Sequence, residues 1–190
     1  SEKMTPEFKG LTIEQLLSHT TGLPSDNTSA ASLPFVRFIG DYESYPYGNL
    51  DEIRYWLVQN WCSLPLPGRP GQKFEYSNMG AGLLGHVLSL KAGVNYETLV
   101  RTQILQPLGM SSTATVLSSD MKSRLAIGHD NLFQTTSNWD FEDSFAGAGA
   151  LKSTANDMLS FLAAQLGFTQ SDLSPAIAAT IAGRKEANGG

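Results

Sequence analysis

A phenol and a carboxamide stand two residues apart in Tyr76-Ser77-Asn78, and this short element carries the chemistry most worth testing in the chain. Pro65, Pro67, Pro70, Gly68 and Gly71 force an extended, non-helical passage into Phe74-Glu75-Tyr76, and Ser77 or Asn78 is placed to cap a helix directly after it. Tyr76 therefore sits where a constrained backbone meets a helix N-terminus, and the positive end of the peptide dipoles there favours a phenolate. With a reference pKa of about 10, a phenol acts as a base near neutral pH only when cations stabilise its anion. The plainer alternative is a buried aromatic residue followed by a capping asparagine.

Other spacings invite chemistry and are better explained by structure. Ser119-Asp120-Met121-Lys122 would put a hydroxyl and an amine on one helix face, as an activated nucleophile requires. Its polar neighbours Ser111, Ser112, Thr113, Ser118 and Asp120 instead suggest a solvated loop or helix start. Lys152-Ser153-Thr154 resembles a Lys-Thr-Gly strand superficially, but it opens a helix, with Ser153 or Thr154 as its cap. Gly80-Ala81-Gly82-Leu83-Leu84-Gly85 spells a dinucleotide-binding glycine pattern, yet it follows a proline-rich loop and lies inside a helix, so close helix packing explains it better. No Gly-x-Ser-x-Gly elbow occurs. His19 suits the negative end of a helix, His86 lies among apolar residues, and His129 follows Gly128 in a loop. With the single cysteine Cys62, these give no metal-ligand spacing and no disulfide, and neither metal nor cofactor is expected.

The elements that must position these residues are mainly helices. Thr12-Ile13-Glu14-Gln15 is a capping box, with Ile13, Leu16 and Leu17 as its apolar stripe and Gly22 and Pro24 as the stop. Residues 25–48 read as a long loop with one turn around Phe35 to Ile39, and Asn49 begins a helix through Ile53, Trp56 and Leu57. The helix after Tyr76 is expected to bury Leu83, Leu84, Val87 and Leu88 and to end at Gly93. Asn95 begins another, running through Leu99, Val100 and Ile104 to Pro107. A further helix carries Met158, Phe161 and Leu162 to Gly167, and an Ala-rich one spans Pro175 to about Gly183. Strand signals are weak throughout.

Across 190 residues, 41% hydrophobic and 16% charged composition fits an ordinary globular core. The net charge of −5 comes from scattered acids, so no basic stripe is available for a nucleic acid. No apolar run is long enough to span a membrane, and Ser1-Glu2-Lys3-Met4 does not begin a signal peptide.

The stretch Pro70-Gly71-Gln72-Lys73-Phe74-Glu75-Tyr76-Ser77-Asn78 with Gly82-Leu83-Leu84-Gly85 resembles the Tyr-x-Asn region of class C β-lactamases and their esterase and D,D-peptidase relatives. Three more blocks keep that family's order. Leu11-Thr12-Ile13 to Leu16-Leu17-Ser18-His19-Thr20-Thr21-Gly22-Leu23-Pro24 resembles the segment after the nucleophile helix, and Ile104-Leu105-Gln106-Pro107-Leu108-Gly109-Met110 resembles a post-helix turn. Gly149-Ala150-Leu151-Lys152-Ser153-Thr154 with Asp157-Met158 resembles a later helix start.

The resemblance implies a mainly α chain: the helical domain of the serine β-lactamase/D,D-peptidase fold, lacking most or all of the antiparallel sheet domain. Residues 1–170 would form that helical domain with the Tyr-x-Asn element, and 171–190 a short Ala-rich helix and tail leading toward the missing sheet. Tyr76 would be the general base and Asn78 the group that holds a substrate amide. Gly149 stands where many class C enzymes carry an aromatic wall, which leaves room for an esterase or peptidase. The family's Ser-x-x-Lys nucleophile and Lys/His-Thr-Gly motif would lie before and after the four blocks. The expected function is thus a portion of a serine acyl-transfer hydrolase, inactive alone, acting in its complete form on a β-lactam, peptide or ester. The alternative is a non-catalytic binding domain derived from that fold. Self-association of the fragment is expected, and the family is commonly exported to the periplasm or secreted.

Overall fold

The computed structural model describes residues 6–23, 69–138, 140–141 and 143–182. The helix expected from Asn49 and the loop over 25–48 lie outside them. About half of the described residues are helical; the described strands form one small two-stranded ribbon. No described helix is long and apolar enough to cross a membrane. The chain divides into two compact units, Ser1–Val87 with Glu186–Gly190, and Leu88–Lys185.

In the first unit α1 spans Pro6–Lys9 and α2 spans Ile13–Leu17. The capping box forms as expected: Thr12 Oγ1 accepts the Gln15 N–H at 3.2 Å, and Gln15 Oε1 accepts the Thr12 N–H at 3.0 Å. The expected apolar stripe does not. Only Leu16 is buried, while Ile13 and Leu17 are exposed, because a helix of five residues turns a single position inward. The backbone leaves α2 through His19 in the left-handed region (φ 52°) and Gly22 (φ 73°). It then ties to the segment before the next helix, where a turn over residues 70–72, with Gly71 at φ 85°, interrupts the expected extended run and leaves only 74–77 without turn or helix: Thr20 O accepts the Gly71 N–H at 2.6 Å, and His19 O accepts the Glu75 N–H at 2.8 Å.

Helix α3 spans Asn78–Ala92. Its cap is Ser77, whose Oγ accepts the Gly80 N–H at 3.0 Å. The buried face also differs from the expected leucine stripe. Met79, Gly80, Gly82, Gly85 and Ser89 are buried, whereas Leu83, Leu84 and Val87 are half-buried and Leu88 is exposed. Small residues make up most of that face, and a Cβ added at Gly80 would lie 3.9 Å from Leu16 Cδ2, in ordinary contact, so this position faces α2.

In the second unit Asn95 caps α4, Tyr96–Val100, by accepting the Thr98 N–H at 2.9 Å. The helix then widens into a π turn over Arg101–Leu105, closed by the Gln106 N–H on Arg101 O at 2.9 Å. Pro107 accounts for the change, since its ring would crowd the carbonyl four residues back in a regular helix. Next come α5, Ser119–Ser123, and the hairpin of β1, Gly128–His129, and β2, Thr135–Thr136, paired antiparallel. A 3₁₀ turn over Asp143–Ala148 packs on α4, and α6, Ala155–Gln165, packs on α7, Ser174–Ala182.

Val100, Leu105, Leu108, Met110 and Ala164 form the core of this unit, flanked by Tyr96, Ile104, Phe161, Leu173 and Ile177. Of the residues expected to face inward on α6, Phe161 does, but Met158 and Leu162 are exposed. The helix instead buries Asp157 and Ala164, because a polar anchor fixes its rotation. Asp157 Oδ2 accepts the Ser112 N–H at 2.8 Å and the Thr113 hydroxyl at 2.7 Å.

Candidate active site

Tyr76 ends the extended passage, and its phenol remains 54% exposed although the next residue, Ser77, is fully buried. The contrast is local in origin. Ser77 turns inward to cap α3, so its neighbour along the extended backbone points outward. The Tyr76 O–H donates to Asn78 Oδ1 at 2.9 Å. The two residues singled out in the sequence therefore meet, with Asn78 at the first position of α3 orienting the phenol.

His19 completes this corner, and its part in it was not legible in the sequence. Its ring lies 4.8 Å from the Tyr76 ring, centroid to centroid and tilted by 35°, and 5.8 Å from Phe74 in an edge-on arrangement. Its Nδ1 accepts the Ser77 N–H at 3.2 Å, which places the proton of the neutral ring on Nε2. The expected interaction with the negative end of α2 is replaced by this contact. The left-handed turn at His19 carries the ring away from that helix.

Burial lowers the His19 pKa below its usual 6.5 by disfavouring the imidazolium. As pH falls past that value the unfolded chain takes up the proton first, so the folded state loses stability until the folded pKa is also passed. The urea midpoint of the first unit should therefore drop as pH falls through about 6.5, and more shallowly in His19→Asn. An identical pH dependence in the two proteins would contradict this assignment.

The second unit holds the remaining sequence candidates. Gly149 is exposed; a Cβ built on it would lie 3.5 Å from Phe141 Cζ, so an aromatic ring already stands beside this small residue. Ser119 and Lys122 lie on the exposed single turn of α5, capped by Ser118 Oγ, which accepts the Met121 N–H at 3.2 Å. In Lys152-Ser153-Thr154 each side chain has a structural partner. Lys152 Nζ pairs with Asp140 Oδ1 at 2.6 Å, Ser153 Oγ meets Thr113 Oγ1 at 2.7 Å, and Thr154 caps α6 through the Asp157 N–H at 3.3 Å. Thr154, not Ser153, is thus the cap. Among the described residues no group of His, Cys, Asp and Glu could hold a metal ion.

The sequence matches the Beta-lactamase family over residues 2–189. The chain belongs to the β-lactamase family. Protein flp of Staphylococcus aureus (strain NCTC 8325 / PS 47) is 29% identical over 136 residues, covering 67% of this chain and 24% of that protein. A class C β-lactamase structure superposes with a TM-score of 0.70 at 22% identity, covering 92% of this chain and 43% of the other. The D-alanine carboxypeptidase AmpC from Burkholderia cenocepacia superposes at 0.68 with 21% identity, covering 90% and 42%. The chain thus shares its fold with part of the two solved structures and spans less than half the length of each of the three proteins.

Proposed function

We propose that this β-lactamase-family chain is the helical portion of a serine acyl-transfer hydrolase whose sheet domain, nucleophile and closing Lys/His-Thr-Gly strand lie elsewhere in a longer protein. Within it Tyr76 is the general base that deprotonates the serine and later the attacking water, and Asn78 holds the substrate's amide. Residues 1–170 supply the helical domain, and 171–190 lead toward the sheet. The observation that carries this reading is the exposed Tyr76 phenol, oriented by Asn78 at the N-terminus of a fifteen-residue helix. The acyl donor is a β-lactam, a peptide or an ester. Gly149 leaves the substrate side chain without a wall from its own position.

Three measurements test the reading. The isolated chain should not hydrolyse a chromogenic cephalosporin or a nitrophenyl ester above background, because a base without its nucleophile offers no acyl-enzyme route. Neither a β-lactam nor a fluorophosphonate should label Ser119, read by intact mass and peptide mapping. Joining the chain to nucleophile-bearing and closing segments should produce turnover. Labelling of Ser119, or an inactive complete protein, would overturn it.

The exposed apolar row of Met158 and Leu162 on α6 and Leu166 at its C-cap, with Leu159 beside it and Phe168 just beyond, fits a surface that the rest of the protein covers. The isolated chain should consequently self-associate. Sedimentation of a monomer at all accessible concentrations would count against that cover.

A further inference from the structure

We propose that His19 is a positioning residue for Tyr76, holding the phenol by ring contact and the peptide behind it by accepting the Ser77 N–H. Three observations converge on this residue. Its backbone adopts a left-handed conformation (φ 52°), uncommon outside glycine but open to histidine, which turns the side chain out of α2 and into the corner. Its ring touches the aromatic groups on both sides of Glu75. Its Nδ1 receives the N–H of the residue between Tyr76 and Asn78, across 58 positions of sequence.

The backbone bond from Glu75 N–H to His19 O, 2.8 Å long, runs alongside. Together the two bonds clamp the chain on either side of Tyr76, so the phenol projects from a fixed base although it is half exposed. The neutral ring brings no charge to this corner. What His19 supplies is geometry: a general base off its productive position loses rate steeply, and a tyrosine on a free loop would sample several rotamers.

The word "positioning" rests on the reading of Tyr76 as base; the contacts do not, and the experiment separates the two. It uses the isolated chain, so it reports on the corner whether or not the longer protein is a hydrolase. Long-range ¹H–¹⁵N correlation at pH 7 should show His19 protonated on Nε2 with Nδ1 as acceptor. In His19→Asn the Oδ1 occupies the place of Nδ1 and asparagine tolerates the left-handed backbone. Ser77 amide exchange should then stay within about threefold of the parent, while the Tyr76 side chain begins to average between rotamers. In His19→Phe the ring returns without an acceptor, and Ser77 exchange should quicken by about tenfold or more. A Nδ1-protonated tautomer in the parent chain overturns the proposal even if neither variant folds. So does a Tyr76 rotamer that stays fixed in His19→Asn, or an unchanged Ser77 exchange rate in His19→Phe.

Discussion

Replacing Tyr76 by Phe in the complete protein is expected to lower kcat by about two to four orders of magnitude, the usual worth of a positioned general base. The substitution isolates the proposed proton-transfer function. Phenylalanine keeps the ring that packs against His19 and removes only the O–H that reaches Asn78 Oδ1. Because Tyr76 is half exposed, no buried group is stranded by the change, and the folded state should be nearly as stable as before. KM should move much less than kcat if the phenol acts mainly in the transition state. Ser119→Ala in the same protein should leave both within about twofold, since Ser119 sits on the exposed turn of α5. Steady-state kinetics with a chromogenic cephalosporin or a nitrophenyl ester, whichever is turned over, decide the matter. A Tyr76→Phe protein with wild-type kcat would remove the base assignment.

The second large effect concerns stability. Asp157→Ala should cost the second unit about 3 kcal/mol, because the buried carboxylate is the acceptor for both the Ser112 N–H and the Thr113 hydroxyl. Removing it leaves these donors in a site that excludes water, and Ser153, linked through Thr113, loses its anchored partner as well. The start of α6 would then be fixed to the 112–114 segment mainly by the paired backbone bonds between Ala114 and Lys152, at 3.1 and 2.9 Å. Urea unfolding followed by the methyl signals of Val100 and Leu105 measures the loss where it occurs. A change below about 1 kcal/mol would show that the carboxylate is not what holds α6 in its rotation. Asp157→Asn, which retains one acceptor oxygen, should fall between Ala and the parent.

Much of the local architecture was legible because it is decided within four residues. The Thr12–Gln15 capping box, the Asn95 cap, and the glycines Gly93 and Gly167 that end helices in the left-handed region all follow from side chains acting on their own backbone. The Tyr76 to Asn78 contact belongs to this class, being a bond between residues two apart. Where two neighbours could each cap a helix, the sequence left the choice open, at Ser77 or Asn78 and at Ser153 or Thr154.

The folded structure made both choices by occupying the competitor, locally at Asn78 and through a partner 40 positions away at Ser153. Asn78 Oδ1 is taken by the Tyr76 phenol and Ser153 Oγ meets Thr113, which leaves Ser77 and Thr154 to receive the helix N–H groups. The same cause lies behind the larger departures. The face that α3 buries carries Met79 and the small residues Gly80, Gly82, Gly85 and Ser89, which a count of large apolar residues misses. The face that α6 buries follows from Asp157 meeting Ser112 and Thr113, 45 and 44 positions away. The sequence by itself determined the family, the starts of the helices after Thr12, Asn95 and Thr154, and the pair Tyr76 and Asn78. Only the fold could bring His19 to them, because a left-handed turn and a hydrogen bond spanning 58 residues leave no periodic trace in the chain.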